Sequence, residues 1–367
     1  MSEWKEIELE RIVNFYNGKK RPYIKGNIPV FGGNGILDYC NSFNSQGESI
    51  IIGRVGEYCG NVNYYNGFCW ISDNAILVKA KEELNVKYLY YCLINVKLRE
   101  FQVGSSQPLI TQEILKNIII LLPPLQEQKA IAEVLSSIDD KIELLHRQNK
   151  TLEKMAMTLF RQWFIEPIRD GLPEGWEEKK LKDVYIFEKG IEPGSKNYLE
   201  TPSVDTIRFI RVGDMLDNKA NVYIQKDLVG NSICRFDDLL VSFDGTIGRV
   251  SFGIEGCYSS GIRKIYSEDE IYNKLWLKHQ IFISEEIQDE INMYAEGTTI
   301  LHASSSIDYL SFVLPPKEKI EEYDKFFDPI YKKILHNKTQ IQTLEKLRDT
   351  LLPKLMSGEA KIMNNEQ

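Results

Sequence analysis

The sequence predicts an α+β protein in which two mixed, β-rich modules are separated by two long antiparallel coiled-coil helices, with an internal pseudo-twofold repeat. Three observations lead to this prediction. A stretch of 12 residues recurs 192 positions later, apolar residues follow a heptad spacing in both copies, and short β-rich runs bounded by Gly and Asn fill the rest. At 367 residues the chain also exceeds the size at which a single core stops growing.

The repeat is clearest in the helical segments. Residues 152–163 reappear as 344–355, and the Leu-Pro-Pro of 122–124 reappears at 314–316. Repeats of this length are too long for a solenoid and indicate duplicated domains. We therefore divide the chain into a first module (1–122), a first helical segment (123–168), a second module (169–314), a second helical segment (315–360) and a tail (361–367).

Composition argues against a membrane or secreted protein. The longest apolar run, 118–122, is far shorter than the roughly 20 residues of a membrane helix, and the first residues lack the pattern of a signal peptide. We expect a cytoplasmic protein. The 6 cysteines form no Cys-x-x-Cys pair, so we expect buried, reduced thiols and no metal site. Cys69 and Cys257 are predicted to occupy matching core positions in the two modules.

The net charge of -8 is distributed unevenly. Residues 1–122 carry 13 basic and 12 acidic groups, a net charge of +1, whereas residues 171–314 carry 15 and 24, a net charge of -9. Binding to a polyanion would therefore require a local basic face on each module, or a contribution from a partner subunit.

The helical segments show a coiled-coil seam. Apolar residues recur at alternating steps of four and three from Leu135 to Trp163, and the second copy repeats this seam from Phe327 to Leu355. Each helix should run about 38 residues, or roughly 57 Å. Pro124 and Pro316 suit a first helical turn, and Gly358 suits a C-terminal stop.

The two helices should pair with each other. If they run antiparallel with Asn149 opposite Asn337, the seam residues of the two copies meet, and one polar layer fixes the register. A homodimerisation device is the common alternative for a heptad repeat. The duplication favours an internal pair, because two repeats in one chain can close around a pseudo-twofold axis.

The modules combine short strands with turn residues and one helix each. Segments 27–31, 49–56 and 74–78 read as strands, and Gly and Asn between them predict an irregular β-rich fold. A helix is predicted at 86–101 in the first module and at 274–291 in the second.

The densest basic cluster, Lys19-Lys20-Arg21 with Tyr23, precedes the Gly33-Asn34-Gly35 turn. Such clusters are often solvated surface. Arginine and asparagine are also the side chains best matched to guanine and adenine edges, so Arg21, Asn34 and Arg54 are candidates to read bases. Tyr58 is a further candidate in module one.

A loop of glycine and hydroxyl residues follows each module helix. Its candidates are Ser105, Ser106 and Gln107 in one copy and Thr298 and Thr299 in the other. Backbone N–H groups and hydroxyls of this kind contact phosphates or base edges, although a turn that only ends a helix would look the same. The remaining candidates in module two, which structural salt bridges explain equally well, are Lys189, Arg211, Asp244, Thr246, Arg249 and Arg263.

The order of motifs resembles one family, the DNA-specificity (S) subunits of type I restriction-modification systems, over essentially the whole chain. The motifs are Ile28-Pro29-Val-Phe-Gly-Gly-Asn34-Gly35, Gly53-Arg54-Val55-Gly56, Tyr58-Cys59-Gly60, Ser72-Asp73-Asn74-Ala75, Leu-Pro-Pro-Leu-Gln-Glu-Gln128 and a Leu-Glu-Lys at both helix ends. The second helix departs from the pattern, since it begins Lys317-Glu318-Lys319, and module two is acidic.

The resemblance implies two target recognition domains, each reading one half of a split DNA site. It also implies that the helices dock two modification (methyltransferase) subunits and that restriction or translocase subunits join the complex. S-adenosylmethionine would be bound by the methyltransferase partners, with no cofactor on this chain.

Two other functional classes are alternatives to a specificity subunit. An amino-methyltransferase needs an Asn/Asp-Pro-Pro-aromatic loop, but Leu precedes both Pro-Pro pairs here, and no catalytic carboxylate, metal or Ser/His/Asp grouping is recognisable. The sequence therefore favours a non-catalytic subunit over a fused methyltransferase or nuclease. A coiled-coil scaffold without a DNA role is the remaining alternative.

If the helices space the two half-sites, removing a matching heptad from both should shorten the spacer. Seven residues correspond to about 10 Å of helix, or about three base pairs. Methylome sequencing of cells that carry the shortened, folded variant should show the shorter spacer. An unchanged spacer would contradict the idea.

Overall fold

The computed structural model of the protein describes residues 4–81, 84–104, 108–216, 221–297 and 301–362. It is a mixed α+β structure that forms two compact units, one of residues 1–143 with 343–367 and one of residues 144–342. The division falls inside both long helices, so each unit contains one module with a part of each helix. In the described ranges no helix is both long and apolar enough to cross a membrane.

In its described residues the first module contains nine strands and three short α-helices before the first long helix. The strands are β1 (Lys5–Glu8), β2 (Val13–Asn17), β3 (Lys25–Gly32), β4 (Gly35–Cys40), β5 (Glu48–Gly53), β6 (Val62–Asn66), β7 (Trp70–Ile71), β8 (Ala75–Ala80) and β9 (Ile119–Leu122). The helices are α1 (Leu9–Ile12), α2 (Val86–Asn95), α3 (Gln112–Lys116) and the long α4 (Leu125–Phe160).

Module one is built on a four-stranded antiparallel sheet in the order β2-β8-β5-β6. A second sheet has the order β4-β3-β7, with β3 and β7 parallel. Ile50 and Ile52 of β5 join the main core beside Leu89 of α2, whereas Ile51 joins Phe31 in a second cluster. Because successive side chains on a strand point to opposite faces, this continuous β-branched run is buried on both faces of the sheet.

Outside the gaps at 217–220 and 298–300, the second module has twelve strands and three shorter α-helices before the second long helix. The strands are β10 (Glu177–Lys180), β11 (Ile186–Lys189), β12 (Thr206–Ile210), β13 (Tyr223–Gln225), β14 (Ile233–Cys234), β15 (Leu239–Ser242), β16 (Asp244–Gly245), β17 (Val250–Ser251), β18 (Gly256–Tyr258), β19 (Ile262–Tyr266), β20 (Leu301–His302) and β21 (Ser311–Leu314). The helices are α5 (Leu181–Val184), α6 (Leu275–Ile283), α7 (Glu285–Met293) and the long α8 (Lys317–Met356).

Module two repeats the topology of module one. Its sheets have the orders β11-β19-β15-β17 and β13-β12-β18-β14, and β10 pairs with β21 as β1 pairs with β9. The N–H of Leu181 donates to the carbonyl of Leu310, as that of Leu9 donates to Ile118. The predicted α+β fold with an internal repeat is therefore confirmed at the level of strand pairing.

The hydrogen bonds correct one detail of the predicted alignment. Ser72 donates its N–H to Phe31 and Ser259 donates to Ile210, so these two serines are equivalent. Cys257 therefore corresponds to Trp70, one residue away from the match predicted with Cys69. All 6 cysteines are buried and free, and burial raises the pKa of the Cys92 thiol to about 12.

The two predicted module helices are shorter than the periodicity indicated. Helix α2 ends at Asn95, because Lys97 has a φ of 53° and a separate 3-10 turn follows. The segment predicted as one helix at 274–291 is split between α6 and α7 at Ser284, whose ψ is 148°. The Ser284 hydroxyl donates to the Ile281 carbonyl, which is the local competition with the backbone that makes serine a helix-end residue.

The long helices begin directly after the two Pro-Pro pairs, so Pro124 and Pro316 precede the first turn and do not lie in it as predicted. Helix α4 ends at Phe160, and Trp163, the last residue of the predicted seam, lies in a short π-helix that follows. Helix α4 has 36 residues and α8 has 40. The carbonyls of Pro124 and Pro316, just before each helix, accept the N–H groups of Gln128 and Ile320 at 3.0 and 3.3 Å. Gly358, with a φ of 74°, follows the end of α8 and stops it, because only glycine adopts this conformation without steric cost.

Within the second unit, α4 and α8 are antiparallel and share a buried polar layer. Asn337 Nδ2 donates to Asn149 Oδ1 at 2.8 Å, and the ring of Trp163 stacks on that of Tyr323 at 4.8 Å. Asn337 is fully buried and Asn149 is 7% exposed. The two asparagines thus lie in one layer, which is the layer that the heptad register assigns to them.

Each module is held to its unit's helices by a polar contact at equivalent positions. In the first unit Tyr91 donates its hydroxyl to Asp139 on α4 at 2.7 Å. In the second unit His279 Nδ1 lies 2.6 Å from the hydroxyl of Tyr331 on α8. Asp139 and Tyr331 occupy the same position of the repeat. Burial lowers the pKa of His279 to about 3, so the imidazole remains neutral in this contact.

The asparagine layer predicts a coupled effect of substitution. Asn149→Leu alone should lower the free energy of unfolding by about 1–3 kcal/mol, because the buried Asn337 amide loses its 2.8 Å acceptor and keeps only the 3.4 Å contact with Gln148 Oε1. Asn149→Leu combined with Asn337→Leu should recover most of that loss, since both polar groups are removed. Urea unfolding of the single and double variants measures this. Additive losses would contradict it.

Candidate nucleic-acid interface

The candidate residues of module one lie on loops that meet at one end of its sheets. The hairpin between β3 and β4 carries Gly33 and Asn34, and Arg54 follows the end of β5. A Cβ placed on Gly53 would lie 2.1 Å from the Tyr58 carbonyl oxygen and 3.0 Å from the Gly33 Cα. Glycine is required where these backbones approach so closely, and this contact brings Asn34, Arg54 and Tyr58 together.

The backbone of Arg54 is fixed by two hydrogen bonds, whereas one nitrogen of its side chain makes none among the described residues. Its N–H donates to the Asn74 carbonyl and its carbonyl accepts the Ile110 N–H, both at 2.9 Å. The side chain is half-buried, and among the described residues its Nε has no hydrogen-bond partner. The Nε is enclosed by the protein, so any contact with a ligand must come from the accessible part of the side chain.

The basic segment runs along the same surface. Lys19 donates its N–H to Ile71, and its carbonyl accepts the indole N–H of Trp70 at 3.2 Å. The Arg21 guanidinium lies 3.4 Å from the Asp38 carboxylate of β4. We call the set Lys19, Lys20, Arg21, Asn34, Arg54 and Tyr58 the module-one surface.

Tyr23 extends this surface beyond the basic segment. Its side chain is 86% exposed, and Lys20 Nζ lies 5.6 Å from the centre of its ring. Ser105, Ser106 and Gln107 lie outside the described residues. Their flanking residues reach the module-one surface, since Val103 and Leu109 exchange two backbone hydrogen bonds and Gly56 donates to the Pro108 carbonyl.

Both modules require a glycine at one equivalent position, but the residue that follows this glycine differs between them. A Cβ on Gly18 would lie 1.8 Å from the Ser72 carbonyl oxygen, and one on Gly190 would lie 2.2 Å from that of Ser259. Both positions therefore require glycine. The exposed Lys189 precedes Gly190, and Ile191 stands where module one has Lys19.

Module two has no counterpart of Arg54 at the equivalent position. Phe243 makes the equivalent backbone contacts, donating to Gly261 and accepting from Ala303, but its side chain is fully buried. The neighbouring Asp244 carboxylate lies 2.8 Å from His302 Nδ1. Thr246 is exposed on the following turn. The corresponding end of module two thus presents a carboxylate and an imidazole where module one presents arginine.

The loop with Thr298 and Thr299 is outside the described residues. Its two ends are joined by a pair of backbone hydrogen bonds between Glu296 and His302, at 2.8 and 2.9 Å. The same arrangement joins Val103 and Leu109 in module one. The two glycine-hydroxyl loops therefore leave equivalent places in the fold.

The three arginines predicted in module two have structural partners. Arg211 donates from two nitrogens to the Asp214 carboxylate at 3.0 and 3.2 Å. Arg249 Nη1 donates to the Val212 carbonyl at 2.8 Å. Arg263 is only 5% exposed, and it donates to the Ser260 carbonyl and the Ser304 hydroxyl. Burial lowers the pKa of Arg263.

The prediction that Arg263 reads bases is wrong, because a buried guanidinium with protein acceptors cannot reach a ligand. Arg211 and Arg249 remain accessible in part, but they also fasten the loop after β12. In module one Asn61 anchors the equivalent loop, since its amide donates to the Gly33 carbonyl at 3.2 Å. Sequence reasoning did not separate these anchoring side chains from those that are free to bind.

Sequence reasoning also passed over three exposed side chains beside Asn34. Ile36, Leu37 and Tyr39 of β4 are each about half exposed. The only available signal was the Gly33-Asn34-Gly35 turn followed by apolar residues that do not alternate with polar ones. An ordinary half-buried strand alternates, so this pattern indicates a strand with apolar groups on both faces.

Arg263→Met should lower the free energy of unfolding by about 3 kcal/mol, because the acceptors on Ser260 and Ser304 lose their charged donor in a buried site. Arg235→Met, at an exposed arginine of the same module, should change stability by no more than about 0.5 kcal/mol. Urea unfolding of both variants measures the difference. Equal stability would contradict the structural role of Arg263.

Comparisons with known proteins agree with this architecture. The family model described as the type I restriction modification DNA specificity domain matches residues 1–154 and 173–346. The specificity subunit of the type I restriction enzyme MjaIX of Methanocaldococcus jannaschii is 26% identical, with 98% of this chain and 97% of that protein covered. The HindI specificity subunit of Haemophilus influenzae is 25% identical over 74% of this chain and 77% of its own length.

A solved structure shares the fold. The crystal structure of the type I restriction-modification S subunit of M. genitalium matches with a TM-score of 0.61 at 17% identity, covering 99% of this chain and 97% of that one. The family model covers both modules and most of both helical segments. The chain therefore belongs to the family of type I restriction-modification DNA specificity subunits.

Proposed function

We propose that this chain is the non-catalytic specificity subunit of a type I restriction-modification complex and that each module reads one half of a split, asymmetric DNA site. One observation carries the proposal. The two modules share one strand topology, but equivalent positions at their loop ends carry different chemistry, as Arg54 and Phe243 illustrate. A duplicated frame with divergent ends suits two readers of unrelated half-sites.

The module-one surface has the side chains that this role needs. Lys19 and Lys20 are exposed cations suited to phosphates, which fix position without reading sequence. Asn34 and Arg54 carry the groups that make two hydrogen bonds to adenine and guanine, respectively. Arg54 is half-buried and follows β5 beside Gly33 and Tyr58, which supports a position at the edge of this surface.

Module two would read its half-site differently. Asp244 directly follows Phe243, the equivalent of Arg54, and presents a carboxylate. Carboxylates accept hydrogen bonds from the amino group of cytosine. Lys189 and Thr246 are exposed on the same module. Its net negative charge implies that the phosphate-binding field must come in part from partner subunits.

The helices would dock the catalytic partners. In the second unit Leu144 and Met155 of α4 are 40% and 50% exposed, on a helix whose seam residues Leu145 and Ala156 are buried. Exposed apolar side chains on such a helix support contact with another protein. The proposed partners are two methyltransferase subunits, which would bind S-adenosylmethionine, together with restriction or translocase subunits. The names of the relatives, specificity subunits of type I restriction enzymes, support this assignment.

Methylome sequencing of a host with and without this chain tests the proposal. A split motif of two unrelated half-sites should disappear when the chain is removed. Unchanged modification would leave the coiled-coil scaffold without a DNA role as the better description.

Arg54→Ala should relax base preference in one half-site only, by about 1–3 kcal/mol at one position. Lys19→Ala should instead weaken binding to all sequences and reduce the slope of log K against log salt by about 1. Duplex-binding titrations at several salt concentrations separate the two effects.

Arg11→Ala is the matched control for these variants. Arg11 is an exposed arginine of the same module, paired with Glu8, and it precedes the end of β2 that is remote from Gly18. It should leave both specificity and salt dependence unchanged. Equal effects of Arg54→Ala on both half-sites would refute the assignment of one module to each half.

A further inference from the structure

Strand β4 of module one is an edge strand with apolar side chains in solvent. Ile36, Leu37 and Tyr39 are 48%, 51% and 50% exposed. Within the described residues, β3 is the only strand that pairs with β4. Exposed apolar edges promote aggregation, and proteins usually cover or charge them. Three such residues beside a hairpin tip therefore indicate a binding surface.

The equivalent strand of module two, β13, has its outer edge covered by another segment. The outer edge of β13 is covered by Leu199, which exchanges two backbone hydrogen bonds with Tyr223 at 2.8 and 2.9 Å. Ile224 in the middle of β13 is fully buried. The apolar edge is thus a property of module one and not of the shared frame, as expected for a feature that serves one half-site.

A β-bulge lies within the hairpin, next to the tip. Phe31 pairs with Ile36 and Val30 pairs with Asp38, so Leu37 has no partner on β3. Bulges redirect side chains and are frequent at sheet edges near functional sites. The tip residue Asn34 is exposed two positions before Ile36. The hairpin therefore presents an amide and two branched apolar side chains within four residues.

The charge around the hairpin identifies the kind of occupant. Residues 18–40 contain the cations Lys19, Lys20, Arg21 and Lys25 and one acid, Asp38, for a net charge of +3. Asp38 lies 3.4 Å from Arg21, which offsets its charge. An apolar strip flanked by cations fits a polyanion that exposes apolar groups. The DNA major groove admits a two-stranded β-ribbon, and its apolar group is the C5-methyl of thymine.

We propose that Ile36 and Leu37 contact thymine C5-methyl groups in the half-site read by module one. This inference rests on the proposed function, because it requires that the module-one surface faces DNA. These apolar contacts would discriminate thymine from the other bases without a hydrogen bond. The half-site of module one should then contain at least one A·T pair whose methyl group contributes to recognition.

The test begins with the methylome motif and uses the full chain in complex with its methyltransferase subunits. Duplexes carrying uracil in place of each single thymine remove one methyl group without changing hydrogen bonding. At one or two positions of the module-one half-site, uracil should weaken binding about fourfold per methyl group. The absence of any split motif would refute the proposed function itself, whereas a motif with no response to uracil would refute only this inference.

Variants then assign the effect to the hairpin. In Ile36→Ala or Leu37→Ala, uracil at the responsive position should no longer weaken binding, because the contact is already lost. Ile119→Ala, at an exposed residue of β9 in the same module, should retain the full uracil effect. The wild-type measurement with uracil does not depend on whether the variants fold.

Two results would overturn the inference directly. One is a module-one half-site without thymine in either strand. The other is a folded Ile36→Ala or Leu37→Ala chain that keeps its DNA preference but no longer assembles with its partners, which would make the edge strand a protein interface.

Discussion

The buried hydrogen bond between Asn149 and Asn337 is the contact that sets the register of the helix pair. Apolar seams alone permit several registers, because any heptad can slide against another. A buried amide pair penalises each shifted register with unsatisfied polar groups. In the same unit and the same register, the ring of Trp163 stacks on that of Tyr323.

The modules attach to these helices through equivalent positions with different chemistry. Asp139 accepts a hydrogen bond from the Tyr91 hydroxyl of module one. The equivalent Tyr331 hydroxyl accepts the amide N–H of Gln280 and lies within hydrogen-bond distance of His279 Nδ1 in module two. The repeat therefore preserves where a module is fastened, while the donors and acceptors have changed. The same division appears at the loop ends, where Gly18 and Gly190 meet the same steric requirement but precede unlike residues.

The arginine side chains of the two modules differ in their hydrogen-bond partners. In module two, Arg211, Arg249 and Arg263 are engaged by acceptors of their own unit. In module one, Arg54 keeps an N–H without a partner among the described residues. Arginine count therefore says little about binding, since a guanidinium that anchors a loop is not free to read a base. The apolar edge of β4 shows that binding groups need not be charged.

The duplication, the two long helices, their boundaries near Pro124, Pro316 and Gly358, and the polar layer of the pair are all predictable from sequence. These features depend on periodicity and on residues whose local conformational preference is strong, so they can be read without neighbours. The sequence also indicates the β-rich class and the basic segment at Lys19 and Lys20.

Tertiary packing determines which candidates share a surface and which are anchors. The break at Ser284, the burial of Arg263 and the approach of Gly53 to Gly33 and Tyr58 depend on contacts between residues distant in the chain. The exposure of β4 likewise depends on whether another segment covers its edge, as Leu199 covers β13. Local sequence patterns do not show whether a distant segment covers a strand edge. The binding surface could therefore be identified only from the packing of the folded chain.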